Sequence, residues 1–228
     1  MMTVRQFIHQ SSAWNSITPT LERVVRWCNR EAILSGAPIR SGSRVADPFT
    51  SSLISEAGFR IASLGAIRLP IQFPSLEHEI RRYVQELPNI EQESIRVLTI
   101  SDWAEAFAIA RSIRQFASSF QSVEFSPYVP GCGIVVHAEA DILADGGLIE
   151  VKTVNRNFRS SDLRQLLAYA AMLYATGRPV NNLAVLNPRL GLTAALPVSQ
   201  LARAAGAGTG VELMQDLIAL MIGFQTSA

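Results

Sequence analysis

The sequence predicts an α/β fold, with a mainly helical region over residues 1–120 and an α/β core over residues 121–228. Three observations predict it. Up to residue 120, apolar residues recur at helical spacing between proline and glycine breaks. Near residue 121 the texture changes to short valine- and isoleucine-rich runs with alternation, as strands require. A long capped helical pattern then separates a strand hairpin from a further strand, the rhythm of a sheet covered by helices. With 228 residues the chain suffices for one large domain or two small ones, so both regions can also pack as one domain.

The elements follow in order. TPTLERVVRWCNREAILSG opens on Thr18-Pro19, carries Leu21, Val24, Val25 and Cys28 at helical spacing, and stops at Gly36. DPFTSSLISEAGFRIASLG starts a second helix from Asp47-Pro48, and SLEHEIRRYVQEL a third from Pro74-Ser75, ended by Pro88. SDWAEAFAIARSIRQFASSF is a fourth, capped by Ser101, with Trp103, Phe107, Ala110 and Ile113 on one face. SVEFSPYV, GIVVHAEADILA and GLIEVKTV read as strands, the last two joined by a tight turn at Asp145-Gly146-Gly147. SSDLRQLLAYAAMLYATG is a capped helix ending at Gly177; NNLAVLNP and GLTAALPV are strands, and GVELMQDLIALMIGF is a final helix. There is no repeat and no low-complexity linker.

Composition narrows the function classes. A net charge of +1 gives no global attraction for a polyanion, so any nucleic-acid site is a local patch. Cys28 and Cys132 lie far apart without a CxxC or Cys/His cluster, which argues for buried thiols, no structural zinc and a reducing compartment. MMTVRQFIHQSSAW lacks the basic and apolar halves of a signal peptide. LIALMIGF is far shorter than the roughly 20 residues that cross a bilayer. A cytoplasmic protein without membrane partners is expected.

The chemistry concentrates in HAEADILADGGLIEVKTV, where Asp141, Glu150 and Lys152 interrupt an apolar hairpin. Side chains alternate along a strand, so Glu150 and Lys152 project together while Val151 points the other way. The turn brings Asp141 close to opposite Glu150. Two carboxylates on one sheet face repel unless a cation sits between them, and hard oxygen ligands of this kind suit Mg²⁺ or Mn²⁺. Lys152 beside the cation could position or help deprotonate a water, or stabilise a pentacovalent phosphate. An ion pair between Lys152 and one carboxylate is the resting alternative.

Asp141 followed by Glu150-Val151-Lys152 resembles the signature of the PD-(D/E)XK, restriction-endonuclease-like nuclease superfamily, with Ala140 in place of the proline. On the next helix Gln165 and Tyr169, four apart on one stripe, resemble the Q-x-x-x-Y motif of its exonuclease-like branch. The resemblance covers roughly residues 121–190. It implies a restriction-endonuclease-like core, a mixed central sheet flanked by helices, and a Mg²⁺- or Mn²⁺-dependent nuclease acting on DNA, with RNA as a further possible substrate. Asp141 and Glu150 would hold the metal with the Val151 carbonyl, Lys152 would assist the attacking water, and Gln165 and Tyr169 would position the substrate strand. Many stand-alone proteins resembling this superfamily belong to anti-phage or mobile-element systems. The alternative is an inactive nuclease-fold protein serving as a nucleic-acid-binding or assembly module.

Other residues keep two readings. Glu139 shares the face of Asp141 by alternation, as a third ligand or, preferably, a solvent-side flank. Many members of the superfamily it resembles carry a glutamate on the helix before the first core strand; Glu56, Glu79 and Glu105 are open for that place, each preferably read as an ordinary surface residue. His137 reads preferably as a strand-start residue, with a contribution to the site as the alternative. Asp162 suits the first turn of its helix, and Arg159 and Arg164 could meet a phosphate, although solvation explains each. Asn187-Pro188 ends a strand, and Arg189 could reach a nucleic-acid backbone on the side of Arg156 and Lys152. Arg81, Arg82, Arg111 and Arg114 read as solvated helix faces. The N-terminal helices could dimerise the protein, cover the cleft or bind a partner.

Overall fold

The computed structural model describes residues 1–34, 38–39, 48–64, 73–85 and 97–223, so Gly36, Asp47, Gly65 and Pro88, expected as helix boundaries, lie outside the described residues. The chain is mixed α/β and divides into two compact units. The larger comprises Met1–Leu34, Phe120–Asn187 and Leu192–Ala228; the smaller comprises Ser35–Ser119 with Pro188–Gly191. Residues 1–120 are therefore not one unit, because the first 34 belong to the strand-bearing body. No described helix is long and apolar enough to cross a membrane.

The larger unit begins with α1 (Val4–Ile8), α2 (Ser11–Ile17) and α3 (Leu21–Glu31), followed by β1 (Ile33–Leu34). Thr3 and Gln6 form a reciprocal capping box on α1. Trp14 is fully buried, with its Nε1–H donating to the Phe7 carbonyl at 3.0 Å and its ring meeting Phe7 edge-on at 5.4 Å. The smaller unit contributes α4 (Pro48–Leu64), α5 (Phe73–Gln85) and α6 (Ile100–Ala117), the last capped by Thr99 rather than Ser101. In it, Glu105 pairs with Arg189 in a buried ion pair, and the Arg114 Nε–H donates to the Ala62 carbonyl at 2.8 Å.

The larger unit resumes with β2 (Val123–Phe125), β3 (Tyr128–Val129), β4 (Ala138–Glu139), β5 (Ile142–Ala144) and β6 (Gly147–Val151). Then follow α7 (Ser160–Ala175), β7 (Asn182–Asn187), β8 (Leu192–Pro197), α8 (Val198–Ala204) and α9 (Gly210–Gly223). Among the described residues the main sheet runs β1-β8-β7-β6-β5-β2, and β3 and β4 form a separate ribbon. The sheet is mixed: β6 and β7 are parallel, the other neighbours antiparallel. Parallel pairing demands a crossover, and α7 supplies it. The runs SVEFSPYV and GIVVHAEADILA, expected as single strands, each break in two. Ser126 adopts a left-handed φ of 51°, and the chain bends at Asp141.

α7 is apolar almost all round, as a helix enclosed by its neighbours must be. Leu163, Leu166, Leu167, Met172 and Leu173 are buried as it packs on β6 and β7 and under α1, α3 and α9. β6 is buried at Leu148, Ile149 and Glu150, the continuous burial of a central strand. A carboxylate inside that run is the exception that marks the site. Cys28 and Cys132 are free buried thiols; burial pushes Cys28 up to about 11 and raises Cys132 as well.

Candidate active site

The hairpin that carries the charges is set by two residues. Asp145 and Gly146 take φ of 45° and 74°, the left-handed pair of a two-residue hairpin turn, and Gly147 is already the first residue of β6. The Asp145 carboxylate accepts the N–H groups of Gln121 (3.0 Å) and Ser122 (2.8 Å), which holds its pKa below the usual carboxylate value. Because the folded value is depressed, the stabilisation is present above about pH 4 and is lost as pH falls through the folded pKa. Asp145→Asn keeps a residue that tolerates left-handed φ but removes the charge. Its stability deficit in urea unfolding is expected at pH 7 and should vanish near pH 2; an equal deficit at both would contradict this assignment.

The ladder pairs Ala144 with Gly147, Leu143 with Leu148, and Ile142 with Ile149, so its next step sets Asp141 against Glu150. At that step the chain bends, and Asp141 Oδ2 accepts the Val151 N–H at 2.7 Å. A side chain thus takes a strand N–H. Glu150 is 3 % exposed; its Oε1 accepts from Lys152 Nζ at 2.7 Å, and its Oε2 is buried with no hydrogen-bond partner. Burial and the neighbouring Asp141 carboxylate push Glu150 up from 4.5 to about 8, against the pull of Lys152. For Lys152, burial works to lower the pKa, but Glu150, Asp141 and Asp162 together outweigh it and the net shift is upward. A site that draws a proton onto a buried carboxylate can take a cation in the proton's place.

Lys152 also connects the strand to α7. Its Nζ donates to Gln165 Oε1 at 2.8 Å, and Gln165 Nε2 donates to the Tyr169 hydroxyl at 3.1 Å. Glu150, Lys152, Gln165 and Tyr169 therefore form one hydrogen-bonded line across two elements, with Asp141 beside it. The i, i+4 spacing of Gln165 and Tyr169 is what stacks them on one side of the helix.

The remaining expectations fare differently. Glu139 is exposed on the separate ribbon, opposite Tyr128, and the chain bends at Asp141 between that ribbon and the main sheet. His137 is exposed, its ring 5.7 Å from that of Tyr128. Glu56, Glu79 and Glu105 all belong to the smaller unit: Arg60 pairs with Glu56 at 2.6 Å and with Glu79 at 3.5 Å, and Glu105 is held by Arg189. Arg189 is buried in that pair rather than presented to solvent. Asp162 is buried rather than solvated: it accepts both Arg156 guanidinium nitrogens (2.8 and 3.0 Å) and caps α7 at the Arg159 N–H (2.9 Å). Arg164 donates to the Ile8 carbonyl and to Asn15 and lies 5.8 Å from the Trp14 ring, an internal role. Arg159 remains exposed. Among the described residues no group of three or more His, Cys, Asp or Glu side chains is gathered as a metal cluster.

Two asparagines that sequence reading treated as ordinary hold the segment between Lys152 and α7. Asn187, fully buried, donates from Nδ2 to the carbonyls of Val154 (2.8 Å) and Arg156 (3.2 Å). Asn29 on α3 exchanges both of its amide bonds with the Phe158 backbone, at 3.0 and 2.8 Å. A polar residue at a strand end was the one available signal for Asn187, and for Asn29 there was none. No family model, curated protein or solved structure matches the chain.

Proposed function

We propose that the chain is a divalent-cation-dependent phosphodiesterase that hydrolyses DNA, on a restriction-endonuclease-like core. The observation that carries this reading is Glu150 Oε2, a buried carboxylate oxygen without a hydrogen bond, on the residue that the next ladder step sets against Asp141. Such an orphan acceptor costs about 1–3 kcal/mol. Mg²⁺ or Mn²⁺ held by Asp141 and Glu150, with the Val151 carbonyl as a further oxygen, would remove that cost. Two carboxylates suffice for a cation that retains several waters. When bound, the cation supplies charge neutralisation at the phosphate and an acidified water.

The chain's own residues do the rest. Lys152 carries an ammonium that is already protonated and already fixed, so its Nζ can orient the attacking water and offset charge on the phosphate. Gln165 fixes that ammonium from the helix side, and with Tyr169 it lines the path of the substrate strand. The order of strand, hairpin, helix and parallel strand supports the nuclease-like core. An anti-phage or mobile-element setting belongs to the same reading by analogy of fold.

Plasmid and linear DNA incubated with Mg²⁺ or Mn²⁺ test the proposal. Cleavage by the wild type, lost in Asp141→Ala and restored by no concentration of metal, is the expected result. Unchanged DNA under every condition, or equal cleavage by Asp141→Ala, would sink it.

A further inference from the structure

α3 has an unusual exposed face. Its buried side is Leu21, Val24, Val25 and Cys28. Opposite lie Arg23, Arg26, Trp27 and Arg30, all exposed, which at 3.6 residues per turn fall within about 100° of one another. Trp27 leaves 38 % of its surface in water and the Arg30 side chain 73 %. Acidic residues sit only at the margins of this stripe: Glu22 on one edge, and on the other Glu31, which meets Arg30 at 2.7 Å in an exposed pair of little energetic weight. Part of a large indole thus stays open to water between arginines one turn to either side.

The stripe is tied to the site. Asn29, on the same helix, exchanges two hydrogen bonds with Phe158, which stands in the segment joining Lys152 to the helix of Gln165 and Tyr169. Arg159 is exposed at the next residue of that segment.

We infer that this face of α3 is a track for a single strand of nucleic acid, with the arginines on successive phosphates and Trp27 stacked on an unpaired base. Basic side chains that follow a backbone, combined with an aromatic platform, are the physical basis of single-strand binding. Arg23 and Arg30 are about 10 Å apart along the axis, room for several phosphates. The indole decides between strand forms, because the bases of a duplex have no free face to offer it. The inference rests on the proposed hydrolytic site and narrows its substrate to DNA with unpaired bases.

Fluorescence anisotropy of a labelled oligothymidylate in EDTA tests it without cleavage. Trp27→Leu is expected to weaken binding about tenfold or more, with Trp27→Phe recovering part of the loss. The triple variant Arg23→Gln, Arg26→Gln, Arg30→Gln should flatten the dependence of log affinity on log salt by about 2, roughly 0.7 per lost phosphate contact. Circular dichroism of each variant should match the wild type. Unchanged affinity and salt slope in these variants, or duplex binding as tight as single-strand binding and independent of Trp27, would overturn the inference. Mn²⁺-dependent turnover of a small chromogenic phosphodiester, too short to reach α3, separates the two claims. Variants that keep that turnover and lose oligonucleotide binding support the track, and so does lost binding where no protein turns the ester over, which counts against the hydrolytic site alone.

Discussion

Lys152→Met is expected to lower DNA hydrolysis by about 10²–10⁴-fold while leaving a folded protein. Methionine keeps most of the side-chain volume but removes the ammonium that bridges Glu150 Oε1 and Gln165 Oε1. Both the charge proposed to stand beside the reacting phosphate and the fixed position of Gln165 are lost together. Stranding a buried ion's partner ordinarily costs about 3–5 kcal/mol. Here Glu150, pushed up to about 8, already favours its protonated form near neutral pH and favours it more without the ammonium, so a smaller loss of about 1–3 kcal/mol is expected. Hydrolysis rates and urea midpoints for the same variant check both halves. Cleavage within a few-fold of wild type would remove Lys152 from the chemistry.

The second large effect concerns stability. Gly133 has φ of 56°, and a Cβ there would stand 2.5 Å from the carbonyl carbon of Met221 and 2.8 Å from Ile222 N, inside the backbone of α9. The close approach is functional for the fold, since the neighbouring Ile134 N–H donates to the Met221 carbonyl at 3.1 Å. Neither backbone can move without breaking that bond. Gly133→Ala is expected to cost about 2–5 kcal/mol, the sum of a left-handed alanine and an overpacked contact. Gly146→Ala is the control: it has φ of 74° but no atom within 4 Å, so only the backbone penalty of about 1–2 kcal/mol applies. Equal midpoints for the two variants would show that α9 yields at Gly133.

What was legible in the sequence was local. Asp145-Gly146 reads as a left-handed turn because few other pairs tolerate that backbone, and from the turn the opposition of Asp141 and Glu150 follows by counting. The spacing of Gln165 and Tyr169 likewise needs only a helix. What was not legible depends on partners remote in sequence. β1 at Ile33–Leu34 pairs with β8, which draws the first 34 residues into the sheet-bearing unit, and nothing near Ile33 announces Thr193 as its partner. Asp162 looked like a solvated first-turn acid; only the return of the chain at Arg156 makes it a buried, doubly bonded anion. Alternation assumes an unbroken strand across Asp141, and the bend there leaves Glu139 exposed on the separate ribbon. That same bend aims the Asp141 carboxylate at the Val151 N–H, so the local failure of strand periodicity coincides with the site itself.

We propose that the charge buried in this hairpin forms a divalent-cation site. Titration calorimetry with Mn²⁺ measures it directly. Binding at about one ion per chain, abolished in Asp141→Ala and in Glu150→Gln and retained in Lys152→Met, is the result the structure leads us to expect. Mn²⁺ uptake that is absent from the wild type, or that survives the loss of either carboxylate, would contradict it.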